Sequence, residues 1–345
     1  MSRTRPRLAP ARRALLVERP IRMDTLVNPY GPSVVVQEAL AGTDELHLPA
    51  ADRELRFHLR LANEIGHPPD ALLLGNGLTE ILDALLFRQQ SHGPVLVFPP
   101  TDPAIAERAG RFGIDVECFP RASWFGIEVG TGDMGSLPAG SLAYVQHPND
   151  PSGTLLGNQS LVRLTRRCAL VVVDERHAGY GGRSFAPLVR EFDNLIVLQT
   201  YETWAGLAGL PFGYAIAPPE LVRELRQYIR PGGVMMGAIL AASATLDDFE
   251  YVRATAARVR EERSRLFRML RKLNVVRPTP SAANFVLARV ERGTASLVAR
   301  ELAERDIRVH RPADPHLAEY LRISAVNAES TDALKRAMVE IAGWL

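Results

Sequence analysis

Lysine is almost missing from this 345-residue chain. Of its 41 lysine and arginine residues, only Lys272 and Lys335 are lysines. A side-chain primary amine, the group that condenses with a carbonyl to form an imine, is therefore available at two positions. Lys272 lies in the basic helical stretch RLFRMLRKLNV and Lys335 in DALKRAMVEI, so neither falls at a strand-to-loop junction. Cysteine is as scarce. Cys118 and Cys168 are far apart, form no C-x-x-C or other metal spacing, and read as reduced, buried thiols. No apolar run approaches the roughly 20 residues a membrane span needs. The Arg-rich start, MSRTRPRLAPARRALLVERP, has no long apolar h-region, which argues against a secretory signal and for a cytoplasmic location. It reads as a mobile arm, or as an arm that folds over a partner subunit. A dominant charge is missing too. The formal net charge is +2 and the arginines are scattered without an aromatic-interleaved stripe, which gives no case for nucleic acid.

What is present is ordinary for a globular protein: 46% hydrophobic and 23% charged residues. The length suits a large core and two unequal lobes. Apolar runs at 94–100, 114–119, 169–177 and 195–198 read as strands, with helical spacing at 51–66, 103–112 and 218–229 between and after them. Gly66 signals a helix C-cap, and Ser33 an N-cap for VVVQEAL. A long helical region covers about 234–273; its many arginines read as a solvated face. The expected class is α/β, with an arm at 1–27, a large domain at 28–233, and a linking long helix plus small C-terminal domain at 234–345.

The stretch 198–219, LQTYETWAGLAGLPFGYAIAPP, organises the rest. A buried strand ends in a polar turn, then come Gly206, Gly209 and Gly213 and a second apolar run. The segment resembles the Schiff-base loop of fold-type I pyridoxal-phosphate (PLP) enzymes, nearest the histidinol-phosphate aminotransferase group, roughly T-[FY]-S-K-x-x-G-L-A-G-x-R-x-G-Y. Thr200, Tyr201, Gly206, Leu207, Ala208, Gly209, Gly213 and Tyr214 match. Other motifs follow in family order: Asn28-Pro29-Tyr30-Gly31-Pro32-Ser33, Gly75-Asn76-Gly77 before a helix, HPNDPSGT, VVVDERH, Ser281 to Phe285, and Tyr320-Leu321-Arg322-Ile323-Ser324.

The resemblance implies the aminotransferase fold type I: a mostly parallel seven-stranded sheet between helices plus a smaller C-terminal α/β domain, and a homodimer. It implies that Gly75, Asn76 and Gly77 cradle the cofactor phosphate with backbone N–H groups and the helix dipole. It gives Asp174 the pyridine nitrogen, which makes the ring an electron sink. Tyr30, Asn149, Asn284 and Arg322 fall on the substrate side, Arg322 as a carboxylate anchor. Several chemical positions depart from the pattern. Thr203 stands at the lysine, Glu202 at the serine beside it, Pro211 at the phosphate arginine, Asp102 at the stacking aromatic, Asp150 at the amide for O3′, His177 at the O3′ tyrosine, and Leu48 at a tyrosine that reaches a partner's phosphate.

These substitutions turn a cation-lined pocket acidic. The expectation is a pocket with no covalent cofactor, holding PLP or pyridoxamine phosphate non-covalently and weakly at most. With Arg322 at one end and Asp102, Asp150 and Glu202 at the other, it would complement a zwitterion, an amino-acid-like ligand. His177, Asp174, Glu202 and Thr203 are the candidate catalytic groups, with His177 a proton shuttle. Plainer readings stay open. Asp174 could be a strand-end helix cap, His177 a packed structural histidine, and Arg322 a strand arginine in an ion pair. A divalent metal on Asp102, Asp150, Asp174 and His177 is a further alternative. Three functions compete: a repurposed enzyme, a non-catalytic protein that binds a small molecule or stabilises a partner, and a working PLP- or pyridoxamine-phosphate-dependent aminotransferase.

Overall fold

Three segments, LAYVQ, LVVVD and LIVLQT, carry apolar residues at most positions rather than alternately, as strands covered on both faces must. They form the middle of a seven-stranded sheet. The computed structural model describes residues 20–129 and 137–344. Its order is β1 (Ile21–Met23), α1 (Val34–Ala41), α2 (Ala51–Ile65), β2 (Leu72–Gly75), α3 (Gly77–Gln89), β3 (Val95–Val97), α4 (Ala104–Arg111), β4 (Val116–Cys118), β5 (Leu142–Gln146), α5 (Asn158–Thr165), β6 (Leu170–Asp174), β7 (Leu195–Thr200), β8 (Gly213–Ile216), α6 (Pro219–Leu225), α7 (Met236–Asp247), α8 (Phe249–Arg271), β9 (Val276–Pro278), β10 (Phe285–Val290), α9 (Ala295–Ala303), β11 (Ile307–Val309), β12 (Tyr320–Ser324) and α10 (Ala328–Trp344).

The large sheet has strand order β2-β8-β7-β6-β5-β3-β4. Strand β8 runs antiparallel to both neighbours, and the other described pairings are parallel. One apolar cluster lies on each face: Leu96, Val145, Val171 and Val197 on one, Val95, Tyr144, Val172 and Ile196 on the other. A third cluster gathers α8, α9 and α10 against an antiparallel sheet, β12-β10-β9. The anticipated α/β architecture is therefore present. Register matters for the site: Gln146 pairs with Asp174, and Asp174 with Leu198. The carboxyl ends of β5, β6 and β7 thus stop side by side, where open α/β sheets bind ligands.

Four local expectations need correction. Residues 1–19 of the arm lie outside the described residues, but Ile21–Met23 is a strand, paired in parallel with Ile307–Val309. The helical region at 234–273 is two helices. They break at Asp248, whose φ of −124° and ψ of 47° are not helical; α7 packs in the large-sheet core and α8 spans to the third cluster. Ser33 sits at the N-cap of α1 without a side-chain cap bond, its buried hydroxyl without a partner among the described residues. Cys118 is exposed because it ends the edge strand β4, whereas Cys168 is buried. Gly66 does close α2, in the left-handed conformation expected of a C-cap glycine.

Candidate active site

Three loops leave the carboxyl ends of β5, β6 and β7 and bring Asp150, Asp174 and Thr203 to one side of the sheet. Asp174 is fully buried at the end of β6. Its Oδ2 accepts from Arg176 Nε at 2.8 Å and Nη2 at 2.5 Å and from the Tyr144 hydroxyl, and its Oδ1 accepts from the Arg176 backbone N–H at 3.0 Å. Burial alone would push this carboxyl up. The Arg176 charge and the hydrogen bonds from Arg176 and Tyr144 outweigh it and hold Asp174 below the ordinary carboxylate value. Asp174 is thus held as an anion with a guanidinium already on it.

Arg176 escaped the sequence reading. The signal in the sequence is the alanine of V-D-E-A-Y, where this chain has arginine.

The second pair joins Asp150, beyond β5, to Arg322 in β12. Both carboxylate oxygens approach Nη1, at 2.7 and 2.6 Å, while Nη2 donates to the Asp24 carbonyl at 3.1 Å. Asp150 and Arg322 are each 7% exposed. This corrects the picture of an arginine at one end of the cleft and carboxylates at the other: the anion and cation are in contact.

The signature loop is tight. Thr203 donates its hydroxyl to the Arg176 carbonyl, and its own carbonyl accepts from Asn28 N–H at 2.9 Å and the Tyr180 hydroxyl at 3.0 Å. Gly206 has φ of +77°, and a Cβ there would stand 2.6 Å from the Gly31 carbonyl carbon. Glycine is required on both counts, and this contact seats the Asn28–Ser33 motif on the loop.

Glu202 turns toward the glycine turn that starts α3. Its Oε1 lies 2.7 Å from where a Cβ on Gly77 would be. Burial raises its pKa, against a weaker pull from its Thr200 hydrogen bond.

Other candidates are placed elsewhere or already engaged. The Asn76 side chain bonds Glu80, the Gly233 carbonyl and the Met235 N–H, so it fixes the turn through Gly75 and Gly77 rather than facing a ligand. Asp102, two residues before the start of α4, accepts from Ala104 N–H at 3.1 Å. Asn149 is fully buried and spends its amide on Pro100, Ser152, Thr101 and Arg121. Tyr30 is 36% exposed, with Arg258 over its ring. Asn284 donates to the Leu26 carbonyl at 2.8 Å while its Oδ1 has no partner among the described residues. Among the described residues, no three His, Cys, Asp or Glu side chains are grouped to hold a metal.

His177 is 1% exposed, set edge-on to Phe285 at 5.9 Å, and neither ring nitrogen has a hydrogen-bond partner among the described residues. Burial lowers its pKa to about 4. In this arrangement His177 is a neutral imidazole packed against Phe285, with no relay partner among the described residues.

A sequence profile of the aminotransferase class I and II family matches residues 33–341. The chain is 34% identical over 342 residues to the histidinol-phosphate aminotransferase of Roseiflexus castenholzii, covering 96% of this chain and 92% of that one. Two solved structures share its fold. The histidinol-phosphate aminotransferase of Clostridium acetobutylicum superposes with a TM-score of 0.85 at 19% identity, covering 94% of this chain and 99% of that one. That of Sinorhizobium meliloti, solved in complex with pyridoxal 5′-phosphate, gives 0.80 at 22%, covering 94% and 90%.

These relatives correct the cofactor expectation. A pocket with no covalent cofactor and weak PLP at most does not follow from the substitutions alone, because a histidinol-phosphate aminotransferase of this fold holds PLP. The residues around Asp174 meet that cofactor in part. Asp174 is a buried anion at the end of β6, and α3 offers its N-terminus, shared there with Glu202. Position 203 is a threonine, while Lys272 and Lys335 line a surface hollow between α8 and α10. Profile, relatives and fold agree: the chain belongs to the aminotransferase class I and II family.

Proposed function

We propose that this protein is a repurposed enzyme of the aminotransferase type, which takes an amine-bearing, amino-acid-like molecule at the carboxyl ends of β5, β6 and β7. The observation that carries this is Asp174, fully buried and held ionised by Arg176 and Tyr144. A buried anion at a cleft is costly to keep, and such perturbed groups cluster at functional sites. PLP comes to this chain as the cofactor of its family. Asp174 would take its ring nitrogen and the start of α3 its phosphate, and bound there PLP supplies an electron sink. The likeness to histidinol-phosphate aminotransferases favours a phosphorylated amine as substrate.

A second reading is a non-catalytic protein that binds a small molecule or stabilises a partner. It is favoured by the Thr203 hydroxyl, which is spent on the Arg176 carbonyl. Titration with PLP separates the two, read by visible absorbance, by borohydride reduction and by amino-group transfer from candidate amines. Saturable binding with transfer supports the enzyme; saturable binding or none, without transfer from any amine, sinks it in favour of the second reading. A borohydride-fixed adduct reports an imine.

We further propose a cytoplasmic homodimer. Val34, Val35, Leu46, Leu48, Leu55 and Leu59 are exposed on α1, α2 and the segment between them. Leu55 and Leu59 are one turn apart on one face of α2. Exposed apolar groups of this density mark association surfaces. Light scattering after size exclusion should report a dimer, and the double substitution Leu55→Asp/Leu59→Asp should give a folded monomer. A monomeric wild type, or a dimeric variant, would refute the assignment.

A further inference from the structure

We propose that Asp150 is a specificity-determining residue that closes the Arg322 subsite to carboxylates from outside. The inference rests on the cleft assignment above for its location only, and its test reads stability instead of turnover.

The geometry is that of an occupied anion site. Asp150 places both oxygens on Arg322 Nη1, at 2.7 and 2.6 Å, and the side chains are 10% and 8% exposed. The guanidinium lies 5.5 Å from the centre of the Phe285 ring, with Nη2 on the Asp24 carbonyl. One cation thus meets one carboxylate in a nearly dry setting. An incoming carboxylate must either share Arg322 with Asp150, two anions on one cation, or displace Asp150 and leave it buried without a partner. Both are strongly unfavourable.

The polar atoms left over around Phe285 are of another kind. Arg322 Nε, the two ring nitrogens of His177 and the Ser324 hydroxyl have no partner among the described residues. Ser324 is directly opposite Phe285 in the β10–β12 pairing, and His177 is edge-on to the same ring. With His177 uncharged at neutral pH and Ser324 a hydroxyl, these atoms bring no second cation to the site, so the subsite rejects α-carboxylates.

Asp150 is presented by a loop that does not need its carboxylate. The Asp150 N–H donates to Gln146 Oε1, and Asn149 ties the turn through Thr154, Ser152 and Pro100. Asp150→Ala should therefore keep the loop and leave a buried guanidinium without its anion.

The experiment is thermal melting of wild type, Asp150→Ala and the near-isosteric Asp150→Asn in formate or acetate against chloride at matched ionic strength. Both variants should melt lower than wild type. Formate should raise their melting temperatures with an apparent affinity at least about ten-fold above that of wild type, about 1.4 kcal/mol. Adding Arg322→Met to Asp150→Ala should abolish the formate response. Wild type responding as strongly as the variants, or a response that survives loss of Arg322, overturns the proposal. Absence of PLP binding or turnover would leave this result standing and would count against the proposed function alone. If Asp150→Ala does not fold, Asp150→Asn carries the test.

Discussion

Replacing Arg176 by alanine should destabilise the protein by about 3 kcal/mol, the low end of the cost of stripping one partner from a buried ion pair. Asp174 is fully buried, whereas the Arg176 side chain keeps 25% of its surface in water, so solvent softens the loss on one side only. After the substitution the carboxylate retains the Tyr144 hydroxyl and one backbone N–H but has no counter-charge. Asp174→Asn removes that charge, so the double variant Asp174→Asn/Arg176→Ala should recover most of the loss. Urea unfolding at unchanged slope measures both. A single-variant loss below about 1 kcal/mol, or no recovery in the double variant, would show that Asp174 is not ionised against Arg176. The result bears on function as well. Arg176 and a protonated ring nitrogen are alternative partners for one carboxylate, so PLP should raise the melting temperature of Arg176→Ala more than that of wild type.

This pair also shows where sequence stops being informative. Strands β6 and β7 were legible because a sheet buried on both faces demands apolar residues throughout, and that demand is local. Asp174 was placed correctly at the end of β6 for the same reason: it terminates such a run. Gly206 was legible because its backbone conformation and its approach to Gly31 exclude every other residue. Comparison with a family pattern then tells what a position has lost. It says little about what the new residue pairs with. Asp150 and Arg322 are separated by 172 residues in the chain, so their contact is fixed only when β12 packs across the loop after β5. Counting substitutions position by position made the cleft look acidic. In the folded protein Asp150 is neutralised by Arg322, Asp174 by Arg176, and Asp102 is spent on a helix start. The break at Asp248 was hidden for a related reason: helical spacing continues on both sides of it, and only packing on two different clusters separates α7 from α8.

Acid should expose His177. Its pKa falls from an ordinary 6.5 to about 4, through burial first; Asp150 and Asp174 pull it up, and Arg176 and Arg322 push it down. A base with a depressed folded pKa binds fewer protons folded than unfolded. Its contribution is therefore complete above about pH 6.5 and is lost as pH falls toward about 4. The size is on the order of 3 kcal/mol. His58, His67, His147 and His310 are shifted down as well, so the wild-type curve alone cannot isolate the effect. His177→Phe can. Phenylalanine keeps an aromatic ring against Phe285 and removes two nitrogens that have no partner among the described residues, so at mildly alkaline pH the variant should be at least as stable as wild type. On acidification the two stability curves should diverge by that same amount, the variant falling less. Parallel curves would mean that His177 is solvated or paired in solution, and would return it to candidacy as a proton carrier. Divergence fixes it as a neutral ring at working pH. Proton movement in this cleft would then fall to other groups, of which Glu202, with its raised pKa beside the start of α3, is the nearest in character.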